Sequence, residues 1–186
     1  MSKKGKYELA LSNYSKAITL NPGDYRAYNN RGNVYQQKEE YDLSIADYNK
    51  AIQLNPGFDL SYINRGNAYQ KKGRYELAVA DYNKAIELNP SNGMAYNNRG
   101  FVLILMKKYA EAEQDIKKAL EFNPNNIYAL NSMSELYSAK GDVTVACTWL
   151  RKAIEKGYNN WNYIKTSGTY DGIRHSSCYK EIITGK

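Results

Sequence analysis

Residues 25–58 read YRAYNNRGNVYQQKEEYDLSIADYNKAIQLNPGF, and this stretch decides the fold because the chain repeats it. The next 34 residues, 59–92, are identical to it at 20 of the 34 aligned positions. All four prolines stand 34 residues apart, and each follows an asparagine: Pro22, Pro56, Pro90 and Pro124. A period of about 34 residues that contains two helical patterns predicts a stack of helical hairpins, in which each unit packs on its neighbours.

The register of the repeat divides the chain into units. Residues 1–158 are expected to form the solenoid, and each Asn-Pro pair ends a second helix because proline cannot continue the helical hydrogen bonds. The solenoid contains a half repeat at 6–22 and repeats at 25–58, 59–92, 93–126 and 127–158. After Lys156 the period is expected to fail, so residues 159–186 are assigned to a C-terminal capping segment.

The capping segment contains a short helical pattern at 160–165 and a second at 176–183, with Ser176 as the N-cap. Its apolar side chains are expected to cover the end of the last hairpin, as a solenoid terminus requires. They are Trp161, Tyr163, Ile164, Ile173, Tyr179, Ile182 and Ile183.

Glycine recurs inside three first helices, at Gly32, Gly66 and Gly100. Because glycine in a helix interior costs roughly 1 kcal/mol relative to alanine, its recurrence predicts close contact where the two helices of a hairpin cross. Small residues at matching positions of the second helices support this interpretation. They are Ser44, Ala78, Ala112 and Ala146.

Together these positions follow one pattern. The first helix reads large–x2–x–Gly–x2–Tyr, and the second helix reads Tyr–x2–Ala, then an aromatic residue, Ala and Asn-Pro. From about residue 6 to residue 158 this pattern resembles the tetratricopeptide repeat family. The resemblance implies an all-α fold, a right-handed superhelical solenoid of antiparallel helix hairpins. The family's leucine before the glycine is replaced here by arginine, and we expect each arginine to form a partly buried bidentate pair with an aspartate of the same unit. The expected pairs are Arg31–Asp47, Arg65–Asp81 and Arg99–Asp115.

First helices are expected to line a concave groove, and asparagine recurs on them. Because an amide presents a donor and an acceptor together, a row of asparagines can hold an extended peptide backbone. Asn30, Asn64 and Asn98 resemble the asparagine ladder in the superhelix of O-linked N-acetylglucosamine transferase, and Ser132 breaks the row. The opposing interpretation, solvated amides inherited with the repeat, stays open. The predicted peptide-binding residues are Asn29, Asn30, Asn33, Ile63, Asn64, Asn67, Met94, Asn97, Asn98, Phe101, Leu105 and Asn131.

The apolar members of this set suggest a partner site where the repeat departs from its copies. Phe101, Ile104 and Leu105 replace the polar Asn67, Gln70 and Lys71. Together with Leu60, Ile63 and Met94 they would form an apolar patch. An equal alternative places Ile104 in the core.

A second binding mode of the family, in co-chaperones, holds the C-terminal carboxylate of heat-shock chaperones with lysine, arginine and asparagine. Asn33 and Asn64 match that clamp. Asn29, Met94 and Asn98 stand where basic residues are expected, so the resemblance does not extend to the full clamp.

Composition favours a protein-binding module over the other classes. The net charge of +7 is spread with the repeat rather than gathered in a block, so the sequence does not favour nucleic acid as the partner. His175 is the single histidine, and we expect no catalytic residue, no cofactor and no metal; His175 and Cys178 alone make no closed metal site. Cys147 and Cys178 imply no disulfide framework, and Cys147 is interpreted as a small core residue.

The expected function is therefore a non-enzymatic scaffold that binds a peptide or helical segment of another protein in the concave groove. The alternative is a structural role, a homo-oligomer that associates through the ends of the solenoid. No apolar stretch has the length of a membrane span or of a signal peptide, so we expect no membrane partner and a cytoplasmic location, in a chain that can be a fragment of a larger protein.

Overall fold

The computed structural model describes residues 3–185, with side chains from residue 5 onward, and every regular element in that range is helical. The chain divides between Pro90 and Ser91 into two compact units, each built from antiparallel hairpins. This confirms the predicted all-α solenoid of hairpins. The first unit contains α1 (Lys3–Leu20), α2 (Tyr25–Gln37), α3 (Tyr41–Leu54), α4 (Asp59–Lys71) and α5 (Tyr75–Leu88); the second contains α6 (Gly93–Leu105), α7 (Tyr109–Phe122), α8 (Ile127–Ala139), α9 (Val143–Glu155), α10 (Trp161–Thr166) and α11 (Ser177–Thr184).

In three of the four hairpins the first helix starts at a side-chain cap, and in all four it turns into the second helix through one left-handed residue. Asp24 accepts hydrogen bonds from the first backbone N–H groups of α2, and Asn92 and Asn126 do the same for α6 and α8. Gly73 and Gly141 adopt positive φ at the turn, where the other two hairpins place Glu39 and Lys107. The second helices α3, α5 and α7 end at asparagines that adopt extended backbone before proline.

The glycine positions confirm the predicted close crossing. A Cβ added to Gly32 would lie 2.7 Å from Cε1 of Tyr48, and one added to Gly66 would lie 2.7 Å from Cε1 of Tyr82. In the second unit a Cβ on Gly100 would lie 2.7 Å from Ile116 Cγ1. The glycines therefore let a large side chain of the second helix pack directly on the backbone of the first.

The arginine–aspartate pairs are present and bidentate, which confirms that hypothesis. Arg65 donates from Nε to Asp81 Oδ2 at 2.8 Å and from Nη2 to Oδ1 at 2.6 Å. The Asp81 side chain is 7% exposed, so burial raises the pKa of its carboxyl group while the arginine opposes that rise. The other two hairpins repeat the geometry: Arg31 contacts Asp47 at 2.7–2.8 Å and Arg99 contacts Asp115 at 2.6–2.7 Å.

The C-terminal segment caps the second unit as predicted, but it does so in phase with the repeat. Asn160, the N-cap of α10, stands 34 residues after Asn126, the N-cap of α8, so the expectation that the period fails after Lys156 is wrong for the helix start. α10 and the following 3₁₀ turn, Gly168–Tyr170, are a shortened first helix packed on the last hairpin. Six of the seven predicted side chains pack in this core; Trp161 is 39% exposed.

The interpretation of the cysteines is wrong, because Cys147 on α9 and Cys178 on α11 form a disulfide. Cys147 is 4% exposed, so its place in the core was foreseen but its partner was not. The two residues are 31 positions apart, and only the fold of the capping segment brings them together. Disulfides persist in oxidising compartments, so the cytoplasmic location stays a prediction.

Candidate functional site

One of the predicted binding registers lies inside the protein. The side chains of this register are 0–7% exposed, so the expectation that they line an open surface is wrong. The physical reason is visible at Asn29, whose Oδ1 accepts hydrogen bonds at 3.1 Å from Ser61 Oγ and from Asn64 Nδ2 on the neighbouring first helix. The buried register comprises Asn29, Ile63, Asn97 and Asn131.

Two amides of the first unit are open and have fixed orientations. Asn33 on α2 is partly exposed, and its Oδ1 accepts from the Tyr48 hydroxyl at 2.8 Å, which turns the amide nitrogen away from the hairpin. Asn64 on α4 donates its nitrogen to Asn29, which leaves its carbonyl oxygen facing outward. The first unit therefore presents an amide donor on one helix and an amide acceptor on the next, the two groups that a peptide bond needs.

These amides belong to a stripe that we call the first-helix face. It follows the i, i+4, i+7, i+11 spacing along α2 and α4, where one side of a helix stays open. Asn30 is exposed, and Asn67 is partly exposed with its Oδ1 bonded to the Tyr82 hydroxyl at 2.8 Å. The first-helix face comprises Arg26, Asn30, Asn33 and Gln37 on α2 and Leu60, Asn64, Asn67 and Lys71 on α4.

The first-helix face carries positive charge and no carboxylate. Arg26 and Lys71 are both exposed, and the only acidic residue within α2 and α4 is Asp59, at the first position of α4. The other acidic side chains of this unit lie in the turns and on the second helices. A neutral or acidic segment is therefore electrostatically favoured over a basic one.

In the second unit, α6 carries Phe101 where α2 and α4 carry Asn33 and Asn67. Phe101 and Leu105 are partly exposed and Met94 is 54% exposed, whereas Ile104 is 4% exposed and belongs to the core. Asn98 is partly exposed. The apolar patch predicted on this helix is thus smaller than expected, since Ile104, like Ile63 in the first unit, is buried.

Asn97 differs from its counterpart Asn29 in having an unsatisfied oxygen. Its buried Oδ1 has no hydrogen-bond partner among the described residues. The sequence explains this, because the residues equivalent to Ser61 and Asn64 are Ala129 and Ser132. A methyl group and a shorter hydroxyl side chain cannot reproduce the two donors that reach Asn29.

On α8 the corresponding surface is covered by the chain itself. Glu135, at the position of Asn33, is 1% exposed and accepts from Tyr163 at 2.5 Å, Thr169 at 2.6 Å and Asn131 at 2.8 Å. The Tyr170 hydroxyl completes the network by donating to Asn131 Oδ1 at 2.6 Å. Asn131 therefore anchors the capping segment.

Sequence reasoning gave Glu135 no role, although one signal was present. It is the only carboxylate in a first-helix interior, at a register where the other repeats carry asparagine or phenylalanine. Burial raises its pKa to about 7, and the three hydrogen bonds from Thr169, Tyr163 and Asn131 oppose the rise without cancelling it.

Neither a metal centre nor a membrane span is found in the described part of the chain. Among residues 3–185 no three histidine, cysteine or acidic side chains are grouped so that they could hold an ion. No helix in that range combines the length and the hydropathy of a membrane-crossing segment.

The stacked hairpins and their glycine crossings place this chain in the class of helical-repeat proteins. The family model of the tetratricopeptide repeat matches residues 25–58, 60–92 and 94–126, and a second model described as TPR repeat matches residues 3–39. These matches cover more than half of the sequence, and the chain belongs to the tetratricopeptide repeat family.

Comparison with solved structures gives the same fold. The crystal structure of MamA is 25% identical, with a TM-score of 0.70 over 82% of this chain and 90% of that chain. The first TPR of Spaghetti (RPAP3), bound to the HSP90 peptide SRMEEVD, is 31% identical with a TM-score of 0.60 over 62% of this chain and 92% of that one. The first TPR domain of human RPAP3 is 31% identical, with a TM-score of 0.62 over 64% and 94%. No curated protein matches the sequence.

Proposed function

We propose that this protein is a non-enzymatic scaffold that binds an extended segment of a partner protein on the first-helix face. The observation that carries the proposal is the pair of oriented amides in the first unit. Asn33 directs a donor outward because Tyr48 holds its oxygen, and Asn64 directs an acceptor outward because its nitrogen is bonded to Asn29. Since both orientations are set before binding, an extended backbone can be held with little ordering of the protein.

The comparison with Spaghetti supports a peptide as the ligand, because that TPR domain is bound to a peptide. The co-chaperone clamp itself is not favoured, since Asn29 is buried here and Met94 and Asn98 replace the expected basic residues. We therefore propose contacts along the backbone of the segment rather than with a terminal carboxylate.

The test selects ligands from a display library of random peptides and measures their affinity by fluorescence anisotropy. Substituting Asn33→Ala and Asn64→Ala together is expected to weaken binding about tenfold or more, since two hydrogen bonds are lost. Gln53→Ala, on the exposed side of α3, is the matched control and should leave the affinity unchanged. Equal affinities of the wild type and the double variant would contradict the proposal.

Two further probes distinguish the alternatives. The peptide SRMEEVD and its C-terminally amidated form report on a carboxylate clamp, which predicts that only the free acid binds. Backbone recognition predicts similar affinities for the two forms. Sedimentation of the chain alone reports on the structural alternative, because self-association would give a mass that rises with concentration.

A further inference from the structure

The Cys147–Cys178 disulfide lies in the wall of a cleft between α9 and α11. The cleft has a volume of about 340 Å³, and both cysteines line it together with Thr144, Thr148 and Ser176. Both threonines are exposed, so the cleft is open to solvent. A disulfide in such a position can be reached by an external thiolate, which attacks one sulfur and forms a mixed disulfide.

The two cysteines differ in access. Cys147 is 4% exposed and belongs to the core of the second unit, whereas Cys178 is partly exposed. Access is one of the factors that decide which sulfur of a disulfide is attacked. The sulfur of Cys178 is therefore the one that an external thiolate meets first.

The cleft carries a positive charge next to the more buried sulfur. Among the described residues that line it, the only charged side chain is Arg151, which follows Cys147 by one helical turn on α9. Attack at Cys178 releases Cys147 as a thiolate, and a nearby guanidinium group stabilises that anion. The same charge attracts an anionic attacking group into the cleft.

Cys178 is also placed to leave as a thiolate. It is the second residue of α11, so it lies in the first turn of a helix, where backbone N–H groups and the helix dipole favour an anion. In addition, Ser176 Oγ lies 3.3 Å from Cys178 Sγ, within reach of a hydrogen bond to that sulfur. Each of the two cysteines therefore has a group beside it that stabilises the thiolate form.

The disulfide is the strongest link between α11 and α9. The ion pair between Arg151 and Glu181, at 2.9 Å, also joins the two helices, but its side chains are 48% and 54% exposed, where an ion pair contributes little. The buried Tyr179 of α11 donates its hydroxyl to the Ile164 carbonyl of α10 at 2.6 Å, which is a bond within the capping segment. α10 and the 3₁₀ turn are held on α8 by Glu135, without any sulfur.

We propose that this cleft is a site of thiol–disulfide exchange, at which a dithiol opens the Cys147–Cys178 bond in the folded protein and so frees α11 from α9. The first thiolate of the dithiol forms a bond to Cys178 Sγ, and Cys147 leaves with the electron pair of the broken S–S bond. The second thiolate of the dithiol then attacks the dithiol sulfur in the mixed disulfide, and Cys178 leaves in the same way. The dithiol becomes a disulfide, and its two protons pass through solvent to the two cysteines. This site is separate from the first-helix face, so the inference does not depend on the proposed function.

The first experiment measures how fast dithiothreitol reduces the native chain, with alkylation of the free thiols and mass spectrometry as the readout. Exchange in the folded state predicts a rate proportional to the dithiothreitol concentration and unchanged in Arg99→Ala, which breaks a buried ion pair of the same unit on α6 and α7. If the bond opens only on unfolding, this variant should accelerate reduction about a hundredfold, and the proposal is overturned. Urea below the unfolding transition gives the same distinction without a variant, because it accelerates only the unfolding route.

A second experiment identifies the attacked sulfur and the role of the charge. Glutathione, a monothiol, should be trapped on Cys178 while Cys147 is alkylated; glutathione on Cys147 would overturn the assigned direction. Arg151→Gln and Glu181→Gln both break the ion pair with α11, but only the first removes the positive charge from the cleft. Reduction of Arg151→Gln should therefore be about fivefold slower than that of Glu181→Gln. Equal rates would overturn the role of Arg151.

Hydrogen exchange tests the consequence for α11. In the reduced protein the amides of α11 should exchange at least about tenfold faster than in the oxidised protein, while the amides of α10 keep their protection through Glu135. Unchanged protection of α11 would show that apolar packing alone holds this helix, and the release would be overturned. Equal loss of protection in α10 and α11 would also overturn it, because the whole capping segment would then open as one piece.

Discussion

The buried carboxylate of Glu135 gives the capping segment a specific dependence on pH. It is fully enclosed between α8 and the capping segment, and it accepts hydrogen bonds from Tyr163, Thr169 and Asn131. Burial raises its pKa from a usual value of 4.5 to about 7. The unfolded chain therefore releases this proton at a lower pH than the folded chain does.

The sign of the effect follows from the proton count. Between about pH 4.5 and pH 7 the folded state holds more protons at Glu135 than the unfolded state, so the free energy of unfolding falls as pH rises. A shift of about 2.5 pH units at 1.36 kcal/mol each gives a loss of about 3 kcal/mol across that window. Above about pH 7 both states are ionised and the contribution of this group is constant.

The assay compares wild type with Glu135→Gln by urea unfolding at a series of pH values. Trp149 and Trp161, the only two tryptophans of the chain, both lie in the second unit, so their fluorescence reports on it. The difference in unfolding free energy between the two proteins should fall by about 3 kcal/mol from pH 4.5 to pH 7. Other acids, such as the partly buried Glu113, whose hydrogen bond from Lys117 lowers its pKa, cancel in that difference because both proteins contain them.

A difference that stays constant over the window would refute the reasoning, because it would show that Glu135 titrates alike in the folded and unfolded states. Tyr163→Phe is a second variant that separates proton linkage from packing. It removes one donor to the carboxylate and should move the transition to higher pH, since that donor favours the charged form.

Two further predictions concern the links that hold the hairpins and the cap. Arg65→Ala leaves the buried Asp81 unpaired and should lower the free energy of unfolding by about 3–5 kcal/mol. The double variant Arg65→Leu with Asp81→Leu should recover most of that loss. If urea unfolding shows that the losses of the two single variants add in the double variant, this prediction is contradicted. The Cys147–Cys178 disulfide closes a loop of 31 residues, and its reduction should lower the free energy of unfolding by about 3.5 kcal/mol. Cys178→Ser should reproduce this loss. An unchanged Tm in the presence of a thiol reductant would contradict the prediction.

Features that the repeat specifies locally could be predicted from sequence. Three features recur at fixed spacing: the Asn-Pro pairs, the glycine crossings and the pairing of Arg65 with Asp81. Because each is present in three hairpins, an interpretation based on one copy can be checked against the other two. The pairing of arginine with aspartate also follows from charge, because two opposite charges on facing helices can satisfy each other where neither could be buried alone.

The role of each asparagine could not be predicted from the same information. Asn29 and Asn33 lie one helical turn apart, and both carry an amide that suits a peptide backbone. Which of them is open depends on how closely α4 approaches α2, and that approach is set by Ser61 and Asn64 together. A helical pattern fixes the side of one helix but not the angle at which the next helix covers it.

The capping segment shows the same limit in a sharper form. Its apolar residues could be recognised, but the network around Glu135 joins residues 28–39 positions apart through side chains that no repeat duplicates. The useful signal was the exception on α8: a carboxylate where other first helices have an amide or an aromatic ring. Because burying that carboxylate without donors would be costly, the carboxylate on α8 requires the tyrosine and threonine hydroxyls of the capping segment that covers it. Loss of Glu135 should therefore weaken the packing of the capping segment on α8 while leaving the amides of the first unit unchanged.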